Sequence, residues 1–215
     1  MIHDLSVLVT EGADWYHEAG TIPVSLQQVG SYDAGWVSHQ VALMVLNGTT
    51  YLETAAHLYP DMPTLDRVPP EKFITRAFVV DVGQGRPAAG SPSPLPAPAD
   101  ALPGFRPDED AILLHCGWDS HLHAADYYHS SPYFSPELQT WLLEHRPAIL
   151  GGDMLSYDHP QDADMPFLRT FFRGGGMILC PLVGLGVLPP TVTLYCSPLK
   201  LAGSSGAPCR ALALT

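Results

Sequence analysis

The chain is cut into short apolar runs, at residues 77–82 (AFVVDV), 111–116 (AILLHC), 148–150 (AIL), 177–183 (MILCPLV), 191–197 (TVTLYCS) and 209–214 (CRALAL). Runs of this length, rich in β-branched residues and bounded by Gly or Pro, predict interior strands rather than helices. Residues 2–9 and 40–46 read as two further strands, the second of them buried, and residues 23–26 as a short one. Only two segments carry helix signals. Ser135-Pro136-Glu137 supplies an N-cap, a proline at the first helical position and an acid in the first turn. Residues 166–173 form the second, stopped by Gly174-Gly175-Gly176. Strand outweighs helix, no internal repeat is apparent, and the class is α/β.

One domain spanning 1–215 accommodates these elements, since 215 residues suffice for one sizeable core. Residues 86–107 are rich in Pro and Ala and include SPSPLPAPA. With strands resuming on both sides, they predict a long surface loop within the domain. The formal charge of −12, with only ten Lys and Arg, repels phosphates and anionic head groups, so neither nucleic acid nor a membrane is an expected partner. No run approaches membrane-span length, and no basic n-region precedes the first strand. The four cysteines form no CxxC pair and read as free thiols of a cytoplasmic protein.

The chemically dense stretch is 47–60, NGTTYLETAAHLYP. It reads as a loop leading into a short helix around residues 53–59, on which Glu53 and His57, four apart, would share a face. An acid and a base held by local geometry suit hydrolytic or metal chemistry. The same spacing is also common on solvated helix faces, where it has no chemical role. His115, His121, His123 and His129 are too irregularly spaced to read as a metal motif.

Beyond these readings, the chain resembles the cyclase family that includes bacterial kynurenine formamidase and isatin hydrolase. The resemblance covers most of the chain. It rests on DLS (Asp4-Leu5-Ser6), GTTYLETAAH, EKFITRAFVVDV, LLHCGWD, the G-x-D-x-x-S-x-D pattern of GGDMLSYD, and ILCPLVGLGVLPP. It implies an α/β fold on a β-barrel-like core of mixed strands with peripheral helices, assembled as a homo-dimer or tetramer. It further implies hydrolysis of an amide, or ring opening or closure, with a divalent metal held by H-x-G-T-H-x-D-x-P-x-H, a later His and a later Glu.

The departures from that pattern are extensive. Asn47 and Tyr51 occupy two His positions, Glu53 the Asp position and Ala55 the proline position. Leu168 occupies the later His position and Cys180 the Glu position. His57 alone keeps its imidazole. These substitutions favour no cofactor, with Zn²⁺ or Mn²⁺ at Glu53, His57 and Cys180 as the alternative. The expected activity is acid–base hydrolysis, cyclisation or ring opening of a small carbonyl or amide compound. Glu53 or His57 would be the acid or base, Tyr51 the donor to a developing oxyanion, and Cys180 a nucleophile or an inert thiol. Asn47, Trp118, His115 and Trp15 are the expected substrate-binding residues. The alternatives are a metal-dependent arylformamidase-like amide hydrolase and a non-catalytic small-molecule-binding pseudoenzyme. Asp153, Ser156 and Asp158 are expected to hold a turn.

Overall fold

The computed structural model describes residues 1–13, 23–43, 49–83, 92–99 and 101–215, with backbone alone for Ala42 and Leu43. The strands are β1 (Ile2–Asp4), β2 (Ser25–Ser31), β3 (Trp36–Leu43), β4 (Tyr51–Glu53), β5 (Ile74–Asp81), β6 (Pro94–Leu95), β7 (Ala111–His115) and β8 (Tyr133–Phe134). Helix α1 (Pro136–His145), β9 (Ile149–Gly152), α2 (Pro166–Arg173), β10 (Met177–Cys180), β11 (Thr191–Pro198) and β12 (Gly206–Leu214) follow.

Eight of these strands form one sheet in the order β1-β12-β11-β5-β7-β9-β10-β4, and pairing of β4 with β12 closes all but β1 into a barrel. Strands β5, β7, β9 and β10 run parallel, whereas β4, β11 and β12 complete the ring antiparallel. Alternation along each strand divides the core. One set, including Leu52, Ala77, Leu113, Ile149, Leu179, Leu194 and Ala213, fills the barrel. The other, including Tyr51, Phe78, Ile112, Leu150, Ile178 and Cys180, faces outward and is covered by α1 and α2. Close approach of neighbouring strands fixes Gly151, because a Cβ there would meet Leu113 at 2.7 Å and the Leu179 carbonyl at 3.1 Å.

Helix α1 starts as its sequence signals require, with the Ser135 hydroxyl accepting from the Leu138 amide at 3.2 Å. Helix α2 has no side-chain cap from its own N-cap residue, Met165. Asp158 does that work from a distance, its two carboxylate oxygens accepting from the amides of Phe167 at 2.7 Å and Leu168 at 3.1 Å.

Four sequence expectations are corrected. Only residues 2–4 of the predicted first strand join the sheet; beyond them Ser6 makes a single bridge to Leu182. The predicted buried strand at 40–46 belongs, as far as Leu43, to a hairpin whose residues 38–41 are exposed. Of the predicted strand, Gln40 and Val41 are exposed, and periodicity alone cannot distinguish such a strand from a core one. The segment 86–107 is not all surface: Leu95 is buried and pairs in parallel with Phe134, so a proline-rich stretch contributes to the outer core. The helix expected around 53–59 is a strand end followed by a 3-10 turn, Ala55–His57, because the ladder claims residues 51–53 to close the barrel. No helix among the described residues is long and apolar enough to cross a membrane.

Candidate functional site

Strand β4 has three residues and two neighbours. Glu53 lies opposite Ile178 on β10 and opposite Gly206 on β12, while Tyr51 lies opposite Cys180 and Pro208. Leu52 points into the barrel, so Tyr51 and Glu53 both point outward. The chain then turns a corner. Thr54 anchors it by donating its hydroxyl to the carbonyls of Pro63 and Ser205, each at 3.1 Å. The 3-10 turn after it returns His57 to Glu53, with Nδ1 3.1 Å from Oε1. The two residues meet as expected, but across a strand-to-turn corner instead of along a helix.

Burial decides the electrostatics of this pair. Glu53 is 6% exposed, and loss of water pushes its carboxyl up to about 7. The same effect holds the His57 imidazole below its ordinary value. The short contact is therefore a hydrogen bond between groups that both favour neutrality, more than a fixed ion pair. The His57 side chain is 38% exposed, so one face of the pair is open to a ligand.

Beside it, Cys180 is enclosed. Its Sγ lies 2.7 Å from the Tyr157 hydroxyl, and the Tyr51 hydroxyl also meets it. Burial pushes the thiol up to about 12, although both hydroxyls pull the other way. A thiol protonated at neutral pH lacks the thiolate character that a nucleophile needs. Leu168, on α2, is buried in the same outer core as Tyr51 and Cys180. Three of the positions compared above with the family's ligand pattern, Tyr51, Leu168 and Cys180, thus share one buried cluster, as a phenol, an aliphatic side chain and a thiol. Among the described residues no three His, Cys, Asp or Glu side chains are grouped so as to hold a metal ion. Glu53 with His57, and Cys180 with its tyrosines, are separate pairings, and this donor set does not fit Zn²⁺ or Mn²⁺.

The remaining predicted residues lie elsewhere. His115 sits at the end of β7, its Nδ1 3.0 Å from the fully buried Asp153. That carboxylate also accepts from the amides of Cys116, at 3.0 Å, and Gly117, at 2.8 Å, and from the Cys116 thiol at 3.0 Å. The Asp153 hydrogen bond, with the charges of Asp81 and Asp119 behind it, raises the His115 pKa. The other ring nitrogen packs toward Gly186, where a Cβ would stand 2.8 Å from it. Asp153 is thus more than a turn residue; it ties two parallel strand ends together. Trp118 is fully enclosed, donating its indole N–H to the Tyr127 carbonyl at 3.0 Å and stacking on His121 at 4.3 Å between centroids. Asn47 and Trp15 lie outside the described residues.

Two features of this region escaped sequence reasoning. Tyr157 stands inside the G-x-D-x-x-S-x-D motif, yet nothing in the motif indicates that it reaches a cysteine on another strand. The His115–Asp153 pair follows from register, because Leu114 is the neighbour of Gly152 and the next residues of each strand emerge side by side.

Comparison with known proteins supplies a family and a fold. A family model described as a putative cyclase matches residues 3–159. An isatin hydrolase bound to the product analogue thioisatinate superposes with a TM-score of 0.83 at 19% identity, covering 100% of this chain and 92% of that one. Isatin hydrolase A from Labrenzia aggregata, bound to benzyl benzoate, gives 0.83 at 22% identity, with 99% and 93% covered. A structure described as a potential metal-dependent hydrolase with cyclase activity gives 0.71 at 15% identity, with 99% and 96% covered. No curated protein matches the sequence.

Proposed function

The chain belongs to the cyclase family, and we propose that it is a hydrolase or cyclase acting on a small carbonyl or amide compound through the Glu53–His57 pair, without a divalent metal at the family position. The observation that carries this reading is the 3.1 Å contact between the two side chains, with a carboxyl lifted to about 7. A group titrating there is present in both forms at neutral pH, the condition under which general acid–base transfer is most effective.

His57 is the group open to a substrate, and Glu53 is the residue that positions and tunes it. With Glu53 ionised, Nδ1–H donates to the carboxylate and Nε2 offers its lone pair to a water attacking the carbonyl carbon. The proton taken from that water then rests on the imidazole until the departing nitrogen or oxygen accepts it. With Glu53 protonated, the carboxyl donates to Nδ1 and Nε2–H becomes the donor. The position of one proton therefore selects the acid or the base form. Tyr51, whose hydroxyl meets Cys180, belongs to the wall of this site in the proposed scheme, as do Leu168 and Cys180.

Isatin, the compound in the names of the similar hydrolases, and an aryl formamide are the first substrates to assay, with chelator-treated protein and with added Zn²⁺ or Mn²⁺. The expected result is turnover that survives the chelator and rises with pH through about 7. His57→Ala should lower kcat by roughly 100-fold or more, while Glu53→Gln should remove the titration near neutrality from the profile. Turnover found only with added metal would overturn the metal-free scheme in favour of an arylformamidase-like amide hydrolase with a rebuilt site. Binding without turnover in any condition would make the chain a non-catalytic small-molecule binder.

A further inference from the structure

A cavity lies at the end of the barrel where its parallel strands begin. Thr54, on its wall, follows β4, Pro147 and Ala148 precede β9, and Gly174, Gly175 and Gly176 precede β10. Its volume of about 470 Å³ suits a small organic molecule. Neither Glu53 nor His57 lines it. The floor is apolar: Ala55, Pro147 and Met177 are buried, Ala148 is half-buried, and the three glycines add no side chain. The polar groups around that floor are already engaged. The Thr54 hydroxyl meets the carbonyls of Pro63 and Ser205, and the last α2 carbonyls accept from the amides of Gly174 and Gly175.

The rim carries the charge. Arg67 and Lys72 both line the cavity and are both exposed. They are two of only ten Lys and Arg in a chain of formal charge −12. Asp108, also on the rim, is already paired with Arg146 at 2.9 Å. Asp66, beside Arg67, accepts from the Thr64 hydroxyl at 2.7 Å and the Gly203 amide at 3.2 Å, and meets Arg67 through Nε at 3.5 Å. The Lys72 ammonium reaches the Asp108 carbonyl at 3.5 Å. Two cations above an apolar floor complement an anion with an apolar body, because the guanidinium fork and the ammonium both suit a carboxylate. A bare inorganic anion would leave the floor unfilled, and a cation would face Arg67 and Lys72.

We propose that this cavity is a second ligand site, for a small monocarboxylate whose ring or chain covers the floor and whose carboxylate is held by Arg67 and Lys72. No part of the proposed reaction enters, so binding here stands or falls separately from the activity.

Isothermal titration of the full chain with 3-phenylpropanoate tests it, beside 3-phenylpropanamide, inorganic phosphate and an Arg67→Ala, Lys72→Ala double variant. The acid should bind with a Kd below about 1 mM, and the amide and phosphate about tenfold or more weakly. The double variant should lose about tenfold in affinity for the acid at an unchanged melting temperature, since both side chains are exposed. The amide signals of residues 174–177 should shift as the acid is added. His57→Ala should bind the acid as the native chain does, which separates this site from the catalytic pair. No binding of the acid by about 5 mM overturns the proposal. So does equal binding by the double variant or of the amide, or loss of binding in His57→Ala. Phosphate bound as tightly as the acid would also overturn it, marking an adventitious ion only.

Discussion

Glu53 is a buried carboxyl with a folded pKa of about 7 against an ordinary 4.5. A raised carboxylate pKa means that the folded state holds its proton more tightly than the unfolded chain does. Its stability contribution is therefore present below pH 4.5 and lost as pH rises to about 7, on the order of 3 kcal/mol in all. His57, whose pKa is lowered, acts in the opposite sense, with stability lost as pH falls from the ordinary 6.5 toward its folded value. Glu53→Gln keeps the shape and removes the charge. Urea midpoints for the native chain and this variant should diverge between pH 4.5 and 7, with the variant gaining relative stability toward the higher pH. Parallel curves would mean that the carboxyl titrates normally. Spacing alone made the encounter of these two residues legible, since four positions apart brings them together on a helix and, as it turns out, around this corner too. The contact of Cys180 with Tyr157 joins segments far apart in sequence, so only their packing could reveal it.

Helix α2 shows how an element can depend on a residue outside it. It has eight residues, follows Met165 in a left-handed conformation and donates the amides of Phe167 and Leu168 to the Asp158 carboxylate. Asp158→Ala should destabilise the protein by about 1–2 kcal/mol, the range for a lost cap, measured as a shift in the denaturation midpoint at constant slope. The Phe and Leu face of α2 covers Tyr51 and Cys180, so the same variant should also quicken amide exchange along β10. The sequence disclosed six of the seven barrel strands, β5, β7, β9, β10, β11 and β12, and both helices, because long-range pairing and local propensity agree at those places. It misassigned the β2–β3 hairpin and the corner after β4. In the hairpin, Gln40 and Val41 of the expected buried strand are exposed. At the corner, three residues are drawn into a ladder by partners more than a hundred positions away, against a local pattern that reads as helix.

At the scale of the whole molecule, the two ends of the chain meet. Strand β1 pairs with β12, Arg210 pairs with Asp4, and the amino group of Met1 donates to the Thr215 carbonyl at 2.6 Å. The ring itself is closed by the pairing of β4 with β12, and its outer wall carries Tyr51, Cys180 and Leu168 in one buried cluster. Added Zn²⁺ or Mn²⁺ should leave the melting temperature unchanged. A site filled at 100 times its Kd would add about 2.7 kcal/mol, several degrees for a chain of this size. A rise of that kind would refute the reading of the donor set.

The three residues of β4 have a further consequence. They are at once the closing segment of the barrel and the mount for Glu53, so there is no hinge between the hoop and its chemistry. A ligand that settles against His57 presses on the seam of the barrel itself. Occupancy should therefore register first as slowed amide exchange along residues 206–208, on the far side of that seam. Equally, any change that loosens the last strand should weaken the ligand's hold without touching a side chain that contacts it.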